Sequence, residues 1–244
     1  MLAVSVIEPM EESDWVSPMV VQEKKQKDET RIYVDLRKLN DVGVHDPFPT
    51  PFTDEVFDNV GRQEAHSFTD VFSRYHENNI APEDRSNMTF TTEWGCFQYT
   101  MMPFGLQNSP TIFLHMVIVA FKEFIHKFLE VYFDDWMVFG LVKCHVASLR
   151  LMLDTCHRYQ IALNLKKCLF CVPFVILLGH VVCRQGLMMD PAKITIIINL
   201  EELRSVKQWR TTLGHTRYCH KFIKSYAQIT APMEKLLRKD ATFC

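Results

Sequence analysis

The chain has 244 residues, 48% of them hydrophobic, enough to bury a core and too many for a peptide or a solvated tail. Its formal net charge of −2 hides a division: residues 1–140 hold 11 Lys and Arg against 23 Asp and Glu, whereas residues 141–244 hold 16 against 6, so phosphate contacts are expected on the basic C-terminal third. No basic start with a long apolar run opens the sequence. Its longest apolar stretch, 169–183, is interrupted by Pro173, Gly179 and His180, so a secreted or membrane-spanning protein is not expected and eight scattered cysteines read as free thiols.

Residues 1–14 are an acidic lead-in without periodicity. Two β-rich runs, 15–22 and 31–36, flank a charged connection, EKKQKDE at 23–29, and the proline cluster DPFPTP at 46–51 is a loop. Residues 53–60 read as a short helix with Thr53 as its N-cap, and 67–71 as a strand. A strand pair is expected over 88–92 and 97–102, joined near Gly95. Ser109-Pro110 is a helix start, a capping serine before a first-turn proline, with apolar residues recurring at Phe113, Val117, Ala120, Phe124 and Phe128. The run FLEVYFDDWMVF, 128–139, is two apolar stretches around Asp134-Asp135, a β-hairpin with acids at its bend. A helix over 144–159, strands over 174–183 and helices through the basic tail complete an α+β pattern with an antiparallel sheet flanked by helices.

The acids carry the chemistry. Adjacent carboxylates repel, and a half-buried pair is costly unless a cation compensates. Divalent magnesium takes carboxylate and phosphate oxygens together, and a two-metal centre wants a third carboxylate. Asp70, ending the segment SFTD at 67–70, is the candidate. An Asp-Asp pair alone is more often a plain turn. Tyr132, two residues before Asp134, is expected on the same face of the hairpin. Cys168-x-x-Cys171 with His180-x-x-Cys183 has zinc-ligand spacing, but the residues between them read as a strand.

Taken together, VDLRKLN at 34–40, FTD at 68–70 with Tyr75-His76, IAPEDR at 80–85, MPFGL at 102–106 with NSP at 108–110, YFDD at 132–135 and LGHVV at 178–182 resemble, in that order, the reverse transcriptases of gypsy-type LTR retrotransposons and retroviruses. The resemblance implies a right-hand polymerase, with fingers and palm over 15–183 and the thumb and start of a connection region over 184–244. It implies RNA-directed DNA polymerase activity that extends a primer 3′-hydroxyl on an RNA or DNA template with deoxynucleoside triphosphates. Two magnesium ions, replaceable by manganese, would sit on Asp70, Asp134 and Asp135. By the same resemblance Arg31, with Lys24 or Lys25 as a looser match, contacts the triphosphate. The backbone at Ser73 and Arg74 faces it too. Tyr75 lies under the sugar, Phe104 touches nucleotide and template, and Leu178, Gly179 and His180 grip the primer end. A cytoplasmic location, within retroelement particles, or a nuclear one follows.

Departures from the family pattern set a second expectation beside the first. Arg74 stands where a small residue is usual, Glu77 and Asn78 place a charge and an amide where Gln and an aliphatic are preferred, and Arg217 replaces a glycine. With no room expected for an RNase H segment before Cys244 and no protease sequence expected at the start, a fragment of a longer polyprotein or a decayed copy is also expected. The alternative is a decayed, non-catalytic remnant that keeps the fold and binds nucleic acid.

Overall fold

The computed structural model describes residues 5–23, 30–49, 51–71, 78–200 and 205–237. The chain divides into two compact units, Met1–Val175 with Cys183–Gln185, and Ile176–Val182 with Gly186–Cys244.

In the first unit, β1 (Ile7–Pro9), β2 (Val16–Glu23), β3 (Thr30–Val34), β5 (Thr89–Thr92) and β6 (Gly95–Tyr99) form one sheet in the order β1-β6-β5-β2-β3. The hairpin β2–β3 runs in register from Met19↔Val34 to Glu23↔Thr30, while β2 meets β5 in parallel. The lead-in thus contributes a strand, with Ile7↔Tyr99 and Pro9↔Phe97 in register; three residues are too few to show a period in sequence.

A second sheet carries the acids. Its strands are β4 (Ala65–Asp70), β7 (Leu129–Tyr132), β8 (Asp135–Gly140) and β9 (Leu169–Val172), in the order β7-β8-β4-β9, and every pairing is antiparallel. Side chains alternate between its faces. One face holds Leu129, Val131, Trp136 and Val138, which join Phe113, Leu114, Val117 and Phe121 of α3 (Ser109–Phe121) and Leu149 and Met152 of α4 (Val142–Arg158) in one core. Trp136 is fully buried, its ring 5.1 Å from that of Phe121. This is the expected α+β arrangement of an antiparallel sheet flanked by helices.

Both expected N-caps are displaced by one residue. In α2 (Thr53–Val60) the cap is Phe52, in extended conformation, and Thr53 is already helical; Asp54 and Glu55 in the first turn complement the helix dipole instead. In α3 the cap is Asn108, and the Ser109 hydroxyl donates to the Pro103 carbonyl at 3.3 Å rather than closing the helix end.

The second unit contains most of a sheet β10-β11-β12 made of β10 (Phe174–Leu177), β11 (His180–Cys183) and β12 (Gly186–Met189). After it come α5 (Pro191–Ile198), α6 (Val206–Arg217) and α7 (Tyr226–Lys235). Asp190 and Ser205 cap α5 and α6 with their side chains. Among the described residues no helix is long and apolar enough to cross a membrane.

Candidate polymerase site

Strand register brings the acids together. Tyr132 pairs with Asp135 across β7–β8, and Asp135 pairs with Asp70 across β8–β4. Directly opposed residues share a face with Cβ atoms about 5 Å apart, so Tyr132, Asp135 and Asp70 form one row. Asp134 is not on the strand: with Phe133 it makes the two-residue turn, and Tyr132 shares its face with Asp135 instead of Asp134. The turn is strained. Phe133 has φ of 51°, a left-handed backbone that bulky residues rarely adopt, and the indole Nε1 of Trp136 donates to its carbonyl at 2.9 Å. Trp136 therefore both fills the core and pins the acidic bend.

Asp70 has a partner that sequence reasoning missed. Lys167 Nζ donates to both carboxylate oxygens, at 3.2 and 3.0 Å. The Asp70 side chain is 15% exposed and that of Lys167 63%. Backbone geometry delivers the lysine: the amide of Asn164 donates to the Asp70 carbonyl at 2.8 Å, and the Lys167 amide turns back to the Asn164 carbonyl at 2.9 Å. Two like charges opposed on neighbouring strands repel, and the ammonium offsets that repulsion. Carboxylate donors suit a hard divalent cation. Yet among the described residues no three His, Cys, Asp or Glu side chains are disposed to hold a metal ion: Asp70 and Asp135 are opposed in the sheet, while Asp134 belongs to the turn.

Two asparagines hold the loop after β6. Asn40 donates to the Gly105 carbonyl at 2.8 Å and accepts from the Gln107 amide at 2.9 Å. Asn108 donates to the Val44 carbonyl at 2.7 Å and accepts from the Asp46 amide at 3.2 Å. Phe104, in the same loop, is 42% exposed. The substitution at Asn78 has a visible cost, because its side-chain Nδ2 is buried with no hydrogen-bond partner.

Two buried imidazoles flank β4, His66 from the strand itself and His145 from α4. Ser67 Oγ meets His145 Nε2 at 2.7 Å and accepts the Cys171 amide at 2.9 Å, while His66 Nε2 meets the Val60 carbonyl at 3.0 Å. Burial lowers the pKa of both histidines.

In the second unit, Leu178 and Gly179 form the turn between β10 and β11, with φ of 47° and 80°. The Tyr218 hydroxyl donates to the Gly179 carbonyl and accepts from the Asp190 amide, the latter at 3.0 Å. Lys193 Nζ stands 4.1 Å over the Tyr218 ring, where a Cβ at position 179 would meet it. His180 is buried, its ring 4.5 Å from that of Tyr218 and 5.9 Å from that of Phe222.

Lys24, Lys25, Ser73, Arg74, Tyr75 and Glu77 lie outside the described residues. Of Arg31 the structure gives the backbone, paired with Gln22 in β3.

A sequence profile of the family described as reverse transcriptase (RNA-dependent DNA polymerase) matches residues 22–216. The chain is 32% identical to the retrovirus-related Pol polyprotein from transposon opus of Drosophila melanogaster, over 231 residues that cover 93% of this chain and 23% of that protein. To the corresponding polyprotein from transposon gypsy it is 30% identical over 234 residues, again covering 93% and 23%. It spans less than a quarter of either relative. A foamy viral protease-reverse transcriptase in complex with double-stranded DNA matches with a TM-score of 0.88 and 22% identity, covering 97% of this chain and 41% of that one. The same viral protein with an RNA/DNA hybrid matches with a TM-score of 0.82 and 22% identity, covering 97% and 32%. The shared feature is the fold, that of fingers, palm and thumb.

Proposed function

The chain belongs to the reverse transcriptase (RNA-dependent DNA polymerase) family, and from that premise we propose that it is a retroelement polymerase core that holds a template–primer duplex while its acidic centre is closed by a lysine. Residues 15–183 are assigned to fingers and palm, 184–244 to the thumb and the start of a connection region, and 1–14 to a lead-in. The observation that carries the reading is the bidentate contact of Lys167 with Asp70. An ammonium on both oxygens of one carboxylate occupies the donors that a metal would take. This favours the non-catalytic alternative over an enzyme poised for transfer.

Exposed cations in the second unit, Lys207, Arg210, Arg217, Lys221, Lys224 and Lys235, support duplex binding, because each phosphate contact releases condensed counterions. Arg31, Lys24, Lys25, Ser73, Arg74, Tyr75 and Phe104 toward a nucleotide, and Leu178, Gly179 and His180 toward the primer end, belong to the same proposal. The buried ring of His180 favours a backbone contact at the Leu178-Gly179 turn over a side-chain one.

A second reading has its own support in the register Asp70↔Asp135 beside Asp134, the acids that would hold magnesium in a working polymerase. Bound there, magnesium would lower the pKa of a primer hydroxyl and neutralise charge developing on the leaving pyrophosphate. The chain's own part would be to swing Lys167 away and bring the Phe133-Asp134 turn toward the Asp70 row. Primer extension on a defined RNA template, with magnesium and then manganese, separates the readings when run beside a binding titration. The lysine-closed reading expects salt-sensitive duplex binding without extension. Extension by the parent chain in magnesium would overturn it in favour of the competent enzyme.

A further inference from the structure

Glu130 is an acid that the polymerase reading does not use. It sits on β7 between Leu129 and Val131 and is 2% exposed, although a charged carboxylate is among the costliest groups to bury. Its Oε1 collects both available donors, Asn59 Nδ2 at 2.8 Å and His126 Nδ1 at 2.9 Å. His126 reaches it from a left-handed backbone, φ 65°, with its amide bonded to the Leu129 carbonyl at 3.0 Å. Its side chain is 59% exposed, so it shields the acid only partly. Among the described residues Oε2 receives no hydrogen bond. Burial, and to a smaller degree the nearby charge of Glu55, push the carboxyl above its ordinary range, against the opposing pull of His126 and Asn59.

Glu130 also lines a cavity of about 240 Å³, with apolar walls from Phe48, Phe52, Leu114, Ile118 and Val131. Glu55 and His126 are at the same cavity, and neither Asp70 nor Asp135 is. An apolar chamber with one under-used carboxylate oxygen and a second acid beside it is complementary to a cation that brings its own apolar body. We propose that this cavity is a binding site for a small organic cation, an aryl or alkyl amidinium or ammonium, whose N–H group donates to Glu130 Oε2 while its hydrocarbon body lies against Phe48, Leu114 and Ile118. A charge-assisted hydrogen bond is roughly twice as strong as a neutral one. An anion of the same size meets two carboxylates, and a neutral alcohol offers only the weaker donor.

Benzamidine titrated into the full 244-residue chain, followed by calorimetry or saturation-transfer NMR, tests the site against benzyl alcohol and benzoate as neutral and anionic counterparts. The expected order is saturable benzamidine binding, weaker benzyl alcohol and no benzoate. Glu130→Gln should weaken benzamidine by about tenfold or more and leave benzyl alcohol nearly unchanged. Ile118→Trp, which fills the chamber without touching the acid, should remove both ligands, and it serves alone if Glu130→Gln does not fold. Equal binding of benzamidine and benzyl alcohol, no benzamidine binding to the parent, or full binding in either variant overturns the proposal.

Discussion

Two hairpins reverse the chain over two-residue turns that include left-handed backbone, and they are supported in partly different ways. Between β7 and β8 the positive φ falls on Phe133; between β10 and β11 it falls on Leu178 and Gly179. The second turn places glycine at one of its two left-handed positions and Leu178 at the other. The first places a phenylalanine at its own, a strain on the order of 1–3 kcal/mol. Each turn is tied by an aromatic donor to its own carbonyl, Trp136 Nε1 to Phe133 and the Tyr218 hydroxyl to Gly179. The comparison teaches that both bends carry one bulky left-handed residue and one aromatic tie, and that only the second spares half of its left-handed backbone from strain by using glycine.

The largest expected effect breaks the first support. Trp136→Ala should cost about 3–5 kcal/mol in equilibrium urea unfolding. Trp136→Phe, which keeps a six-membered ring and loses the N–H with the rest of the indole, should cost less, about 1–2 kcal/mol or somewhat more. No loss in Trp136→Phe would mean that the indole bond to Phe133 contributes nothing. The second support is weaker. Gly179→Ala should cost about 1–2 kcal/mol through its φ and the approach of Lys193, while Phe133→Gly should be neutral or slightly stabilising because its strain disappears. A loss in Phe133→Gly as large as that in Gly179→Ala would erase the contrast between the two turns.

Acid should act on both regions. Burial lowers the pKa of His66, His145 and His180, so the folded chain keeps these rings neutral while the unfolded chain protonates them near 6.5. Their contribution is present above that value and is lost as pH falls through it toward the lower folded values. The urea midpoint should therefore drop between pH 7.5 and 5.5, and less so in His66→Gln. A midpoint that rises on acidification would contradict the assignment of neutral buried rings.

The legibility of the molecule followed the range of the interactions. The acidic hairpin, the strand ending in Asp70 and the Ser109-Pro110 helix were readable because apolar periodicity and turn residues are local signals. The positions of Thr53 and Ser109 were off by one residue, because a cap depends on which residue first turns helical and not on residue type alone. The row Tyr132, Asp135, Asp70 needed strand register, which shifts every side chain to the other face when it slips by one. Lys167 was invisible: it stands 97 residues from Asp70 in sequence, and long-range backbone contacts such as the bond from Asn164 bring it there. Glu130 carries no signal of its own inside the apolar run 128–139; what marks it is the cavity, Asn59 and His126 around it, all set by tertiary structure.

The smallest change in energy tests the central claim most directly. Lys167→Met keeps the aliphatic stem and removes the ammonium from Asp70, a partly exposed pair worth about 0.2–1 kcal/mol. Thermal melting of parent and variant across a magnesium titration, with template–primer present, reads both consequences. The lysine-closed account predicts a slightly lower melting temperature for metal-free Lys167→Met, then a saturable rise with magnesium that exceeds any rise in the parent, by mass action on a site no longer contested. A parent that is stabilised by magnesium as strongly as Lys167→Met would contradict it, because Lys167 would then be no barrier between the acids and a metal.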